Sequence, residues 1–186
     1  MRSGLEALYR LSGALGASFL VLILLVVVTQ VCLNIIVVLI EWATGRALGL
    51  LLPSYATFAG YFLAAGSFLA LGYTFARGAH IRVALVLQTL PQAARRPAEI
   101  IAALAALLLA LYATRYLGAL THESWRFGDR SSGLVSIPLW IPQSAMTAGM
   151  VILCIATADR LVQALQGRLL EDDETEPTPR DPAPDA

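Results

Sequence analysis

The stretch Ala76-Arg77-Gly78-Ala79-His80-Ile81-Arg82-Val83 interrupts an otherwise apolar sequence near its middle. Long uncharged runs flank it on both sides, so it reads as a connection held at one face of a membrane. Composition agrees: 58% of the residues are apolar and 14% charged, with a mean hydropathy of +0.70, which leaves too little polar surface for a water-soluble globule. A hydrocarbon core of about 30 Å takes roughly 20 apolar residues per helix. The 186 residues therefore accommodate four spans and leave no room for a second folded domain.

Working outward from that stretch, the second span is predicted at about residues 53–75 and the third at about 98–120. Between them, residues 81–90 are apolar on most sides of a helical wheel yet too short to cross, which predicts an interfacial helix. Pro91 ends it, Arg95 and Arg96 anchor its far side at the headgroups, and Pro97 falls in the first turn of the third span,. The first span is predicted at about 14–40 and the fourth at about 138–160. Arg2 and Arg10 ahead of an apolar run resemble the start of a signal peptide, but the uncharged stretch 11–40 exceeds a signal core of about 7 to 15 residues. The fold class is thus all-α, with four transmembrane helices in a membrane domain over residues 1–167. Residues 168–186 are acidic and Pro-rich, and such a tail is expected to be disordered and cytoplasmic because it has almost nothing apolar to bury.

Side chains within the spans suggest how they pack. Gln30 and Asn34 are four apart, so they share a helix face that should point toward protein,. Ala56, Gly60 and Ala64, then Gly66 and Ala70, and in the fourth span Ala145 and Gly149, offer close approach to another helix,. Glu41 and Trp42 close the first span at the interface opposite the basic stretch, and Arg115 approaches the same side. Arg115 either snorkels outward or forms an outer-side ion pair with Glu41. Residues 122–136 read as an exposed loop, in which the adjacent His122 and Glu123 lack the further ligands a zinc ion needs,. Cys32 and Cys154 lie in apolar runs and read as inert thiols,.

Every cation is an arginine. Four spans place Arg2, Arg10, Arg77, Arg82, Arg95, Arg96, Arg160, Arg168 and Arg180 on one side, and Arg46, Arg115, Arg126 and Arg130 on the other. The positive-inside rule then predicts that both termini are cytoplasmic. No Asp, Glu, Lys or His stands near the middle of a span, which argues against a proton-coupled exporter acting alone, against intramembrane proteolysis and against metal chemistry. No enzyme activity, cofactor or nucleic-acid partner is expected.

The run from Phe75 through Arg77, Gly78, His80 and Arg82 to Val83, followed by Leu90-Pro91 and Arg95-Arg96, resembles the central signature of the small, DctQ-type membrane subunit of tripartite ATP-independent periplasmic (TRAP) transporters. The entry to the last span, Ser136-Ile137-Pro138-Leu139-Trp140-Ile141-Pro142, agrees, and the similarity covers about residues 11–165. Many relatives carry an acidic pair just before the second span, where this chain has Pro53-Ser54-Tyr55-Ala56-Thr57. The resemblance implies a bacterial inner-membrane symporter of three parts. In it, a periplasmic solute-binding protein captures an organic acid or related solute, and a large membrane subunit moves it with sodium. The small subunit braces the large one against the lipid bilayer and helps dock the binding protein, so sodium and substrate sites belong to the large subunit. Arg77, Gly78, His80, Arg82, Arg95 and Arg96 are then the expected contacts with that subunit or with lipid; the plain alternative for the arginines is a headgroup anchor. The competing functional readings are a self-sufficient homo-oligomeric channel or exporter, and an accessory protein of a membrane-bound enzyme.

Overall fold

The structure, a computed structural model, describes residues 2–45, 55–77 and 92–166. Its helices are α1 (Arg2–Thr44), α2 (Tyr55–Ala76), α3 (Gln92–Phe127) and α4 (Trp140–Gln166). All four are long and apolar enough to cross a membrane, so the chain is an all-α, multi-pass membrane protein. The expected interfacial helix at 81–90 and the tail at 168–186 lie outside the described residues.

Three helices run past the ends predicted for their spans. α1 has 43 residues and α3 has 36, about 64 and 54 Å of helix. Charged residues at an interface end the apolar run but not the hydrogen-bond ladder, which continues until the backbone leaves the right-handed region. For α1 that happens at Gly45, whose φ is +66° and whose N–H donates to the Glu41 carbonyl at 2.8 Å. For α3 it happens at Gly128, with φ +68°, where the Asp129 N–H donates back to the Ser124 carbonyl at 3.0 Å. Glycine adopts this left-handed conformation without a Cβ penalty. Residues 122–127, expected in the exposed loop, are therefore the last turns of α3. Pro97, expected in a first turn, lies inside α3 because the helix already starts at Gln92, so Arg95 and Arg96 belong to α3 itself. The connection from α3 to α4 is ordered by a bridge between Arg130 and Pro138. There the Ser131 N–H donates to the Ile137 carbonyl at 2.9 Å and the Leu139 N–H to the Asp129 carbonyl at 3.0 Å.

The helices pack in the order α1, α2, α4, α3, with α1 touching α4 only lightly, so α1 and α3 form the two edges of a row. Small residues make this order available. Gly16 and Gly66 bring α1 and α2 together so closely that a Cβ on Gly16 would stand 3.0 Å from the Gly66 carbonyl oxygen. The buried Ser12 hydroxyl reinforces that seam by donating to the Leu69 carbonyl, and Phe19 meets Phe62 with ring centroids 5.8 Å apart. On the other side of α2, Gly149 packs against the backbone of Phe68 and Leu69, and Gly72 lies under Ile152. α3 joins α4 through a hydroxyl pair, Thr121 with Thr147 at 2.9 Å, and through Thr114 with Cys154 at 3.2 Å. Interhelical hydrogen bonds of this kind are worth about 0.6 kcal/mol each in a membrane.

Of the expected small-residue seams, Gly66 with Ala70 and the one through Gly149 are packed, whereas Gly60 meets nothing within 4 Å. Ala56 and Gly60 are exposed. Gln30 is buried as expected, but Asn34 is exposed. The reason is length: α2 starts at Tyr55, about two turns before the Phe62 that meets Phe19, so α1 continues well beyond its partner. The apolar bands of the helices are consequently staggered. On α1 the band runs to Ile40, whereas on α3 it is already interrupted at Arg115, six residues before the Thr121 that meets Thr147. A flat bilayer accommodates such a shift when the row is tilted, which also suits an uncharged stretch of about 45 Å in a core of about 30 Å.

Candidate functional site

Contacts place the N-terminus of α1, the C-termini of α2 and α4 and the N-terminus of α3 at one end of the row, here the basal end. Arg77 follows the last residue of α2, its N–H donates to the Tyr73 carbonyl at 3.1 Å, and its guanidinium lies 5.4 Å from the centre of the Tyr73 ring. Arg96 donates from Nη2 to the Leu165 carbonyl at 3.0 Å. Leu165 is in the last turn of α4, whose carbonyls have no intrahelical partner, so a cation there satisfies an orphan acceptor and complements the helix dipole. Arg96 thereby ties the start of α3 to the end of α4, a structural use beyond a headgroup anchor. Gly78, His80 and Arg82 lie outside the described residues. Glu41 and Arg115 are both exposed, stand on the two opposite edges of the row, and are joined by no ion pair among the described residues.

Sequence reading did not single out a polar pocket of about 290 Å³ at the basal end. α1 contributes Glu6, Tyr9 and Arg10, the end of α2 and the residue after it contribute Tyr73 and Arg77, and α4 contributes Asp159, Arg160 and Gln163. Its two acids are engaged. Glu6 stands 3.9 Å from Arg10, and Asp159 accepts from Gln163 Nε2 at 2.7 Å. Tyr9 is 8% exposed, and its hydroxyl has no hydrogen-bond partner among the described residues. A buried hydroxyl left unpaired costs about 1 to 3 kcal/mol. The signal in the sequence is the polar and small stripe Tyr9, Ser12, Gly13, Gly16 on one face of α1,. That spacing shows a packed face but not which residues of α2 and α4 meet it.

The other feature is the amount of apolar helix left uncovered. On the far half of α1, Val31, Ile35, Val38 and Leu39 are all more than half exposed. Asn34 sits among them and makes no hydrogen bond among the described residues. At the far end of α3, Trp125 and Phe127 are exposed, as is Leu134 in the connection that follows. An open, largely apolar groove of about 680 Å³ runs between α3 and α4 past Thr121, Trp125, Trp140 and Ser144. Among the described residues, nothing in this arrangement gathers the nucleophiles, acids and bases of a catalytic centre, and no group of three His, Cys, Asp or Glu could hold a metal ion.

No curated protein and no solved structure matches the chain significantly. Residues 35–167 match the family model described as tripartite ATP-independent periplasmic transporters, DctQ component. That match begins in the far half of α1 and runs through the end of α4, well over half of the sequence, and it takes in both the basic stretch and the Arg96 tie. The chain therefore belongs to the DctQ family: it is a membrane component of a TRAP-type transporter and not an enzyme.

Proposed function

We propose that this chain is the small permease subunit that scaffolds the large membrane subunit of its transporter and helps dock a periplasmic solute-binding protein. The system takes up an organic acid or related solute with sodium, and the chain sits in the bacterial inner membrane with both termini in the cytoplasm. The observation that carries the reading is the open row. α3 packs on α4, and α1 packs on α2 with only a light touch on α4; along the half that outruns α2, α1 keeps an apolar flank on which the Asn34 amide is unpaired among the described residues. A buried or lipid-facing amide without a partner is costly, whereas a second protein can hydrogen-bond it. A tilted row with two free edges suits bracing a larger body, and the absence of mid-span acids suits leaving ion coupling to that body. The apolar surface at Trp125, Phe127 and Leu134 stands at the end opposite the basal arginines, which the arginine distribution assigns to the periplasm.

His80 tests the partner-binding role of the basic stretch, because a bare headgroup anchor needs cations and not an imidazole. His80→Ala is expected to insert normally but to lower recovery of the large subunit about fivefold, the worth of one interfacial contact of roughly 1 kcal/mol. Solute uptake should fall with it. Normal uptake with normal complex yield would remove His80 from the interface.

A further inference from the structure

We infer that the basal pocket between α1, α2 and α4 is a binding site for a phosphate group, of the kind presented by a phospholipid headgroup. Three helices each bring one guanidinium to it: Arg10, Arg77 and Arg160. Two carboxylates offset part of that charge: Glu6 stands 3.9 Å from Arg10, and Asp159, which accepts from the Gln163 amide at 2.7 Å, keeps its own charge, so three guanidiniums face two acids. Arg160 has neither a hydrogen bond nor an ion pair among the described residues, and Arg77 has its Tyr73 ring contact and no acid. The pocket thus holds an excess of forked N–H donors, which match phosphate oxygens two at a time.

Tyr9 supplies the independent observation. Its side chain is more than nine-tenths buried on the pocket wall, and its hydroxyl lacks a partner among the described residues. A phosphate oxygen is an acceptor of the right kind for that O–H, which is closed to solvent and reaches the ligand when the ring swings toward the opening. The volume of about 290 Å³ equals that of about ten waters, enough for a phosphate and the start of its ester. Position favours a lipid: Tyr9 and Arg10 immediately precede the uncharged run of α1, and Arg77 and Arg160 immediately follow the apolar parts of α2 and α4. All four residues therefore lie where the chain leaves the hydrocarbon, at the depth of headgroup phosphates, and basic pockets between transmembrane helices are a recurring place for headgroup binding.

The test uses the full chain, purified and delipidated in detergent, with native mass spectrometry to titrate phosphatidylglycerol, diacylglycerol as the phosphate-free lipid, and inorganic phosphate. The wild-type chain is expected to retain phosphatidylglycerol over diacylglycerol, and both Tyr9→Phe and Arg160→Gln are expected to weaken that retention by about tenfold. Tyr9→Phe keeps the ring and should not lower the melting temperature, since the hydroxyl it removes has no partner in the unliganded protein. If inorganic phosphate binds with the same sensitivity to both variants while the lipid does not, the phosphate site stands and its source is soluble. Equal retention of phosphatidylglycerol and diacylglycerol without phosphate binding would overturn the site, and so would unchanged phosphate-ligand affinity in both variants.

Discussion

Gly149→Leu is expected to abolish the folded chain, while Gly60→Leu leaves it intact. A Cβ at position 149 would overlap the Phe68 carbonyl and stand 2.7 Å from the Leu69 nitrogen. These are backbone atoms of α2, so no rotamer change relieves the clash and the two central helices of the row must separate. Overpacking of this kind costs about 3 kcal/mol or more, a large part of a typical stability of about 5 to 15 kcal/mol. Separating α2 from α4 also splits the row into two pairs, since those two helices join its halves. Gly60 belongs to a small-residue stripe of α2, the helix that Gly149 packs against, but meets nothing within 4 Å, so it serves as a control on the partner helix. Thermal melting and size exclusion in mild detergent read both variants. A Gly149→Leu chain that melts with the wild type would show that α2 and α4 do not make this contact.

Val38→Arg on the far half of α1 is expected to cut recovery of the large subunit tenfold or more, a loss of about 1.4 kcal/mol or greater. Its insertion into the membrane and its own melting temperature should stay near wild type. Val38 is 54% exposed and stands four residues after Asn34, on the same helix face. It lies beyond the α1–α2 seam, whose Ser12, Gly16 and Phe19 contacts it does not touch. Asn34→Leu separates a partner from lipid on that face. If a protein partner hydrogen-bonds the amide, the substitution weakens the complex about fivefold. If the face looks onto lipid, removing the amide stabilises the isolated chain and leaves complex recovery unchanged.

The four membrane-length helices among the described residues and their all-α class were legible because uncharged runs separated by arginines, Pro and Gly leave little choice,. The family was legible too, in the run from Phe75 to Val83 and the Leu90-Pro91 and Arg95-Arg96 elements. Helix ends were less so. Apolar runs report where hydrocarbon stops, but α1 and α3 stop at Gly45 and Gly128, where the backbone turns left-handed. Pro97 was misplaced for the same reason, since nothing in the headgroup region breaks α3 between Gln92 and the apolar run. Among the small-residue stripes, Ala56 with Gly60 and Gly66 with Ala70 look alike on a helical wheel. Only the register of α1 against α2, fixed by Ser12 with Leu69 and Phe19 with Phe62, distinguishes the packed stripe from the open one. The basal pocket was not legible because it assembles from three helices whose order in the row, with α4 beside α2, follows from tertiary packing. Glu41 and Arg115 illustrate the converse: they are expected at one side of the membrane, but the row sets their helices on opposite edges, and a shared depth does not report which helices are neighbours.

The most direct test of the scaffold role is recovery of partners from membranes in which the whole transporter is made. The chain, tagged and extracted in mild detergent, should bring down a much larger multi-span membrane polypeptide, and proteoliposomes holding the chain alone should carry no solute flux. Recovery of the chain only as copies of itself, with flux through those copies in proteoliposomes, would contradict the scaffold role and favour a self-sufficient channel.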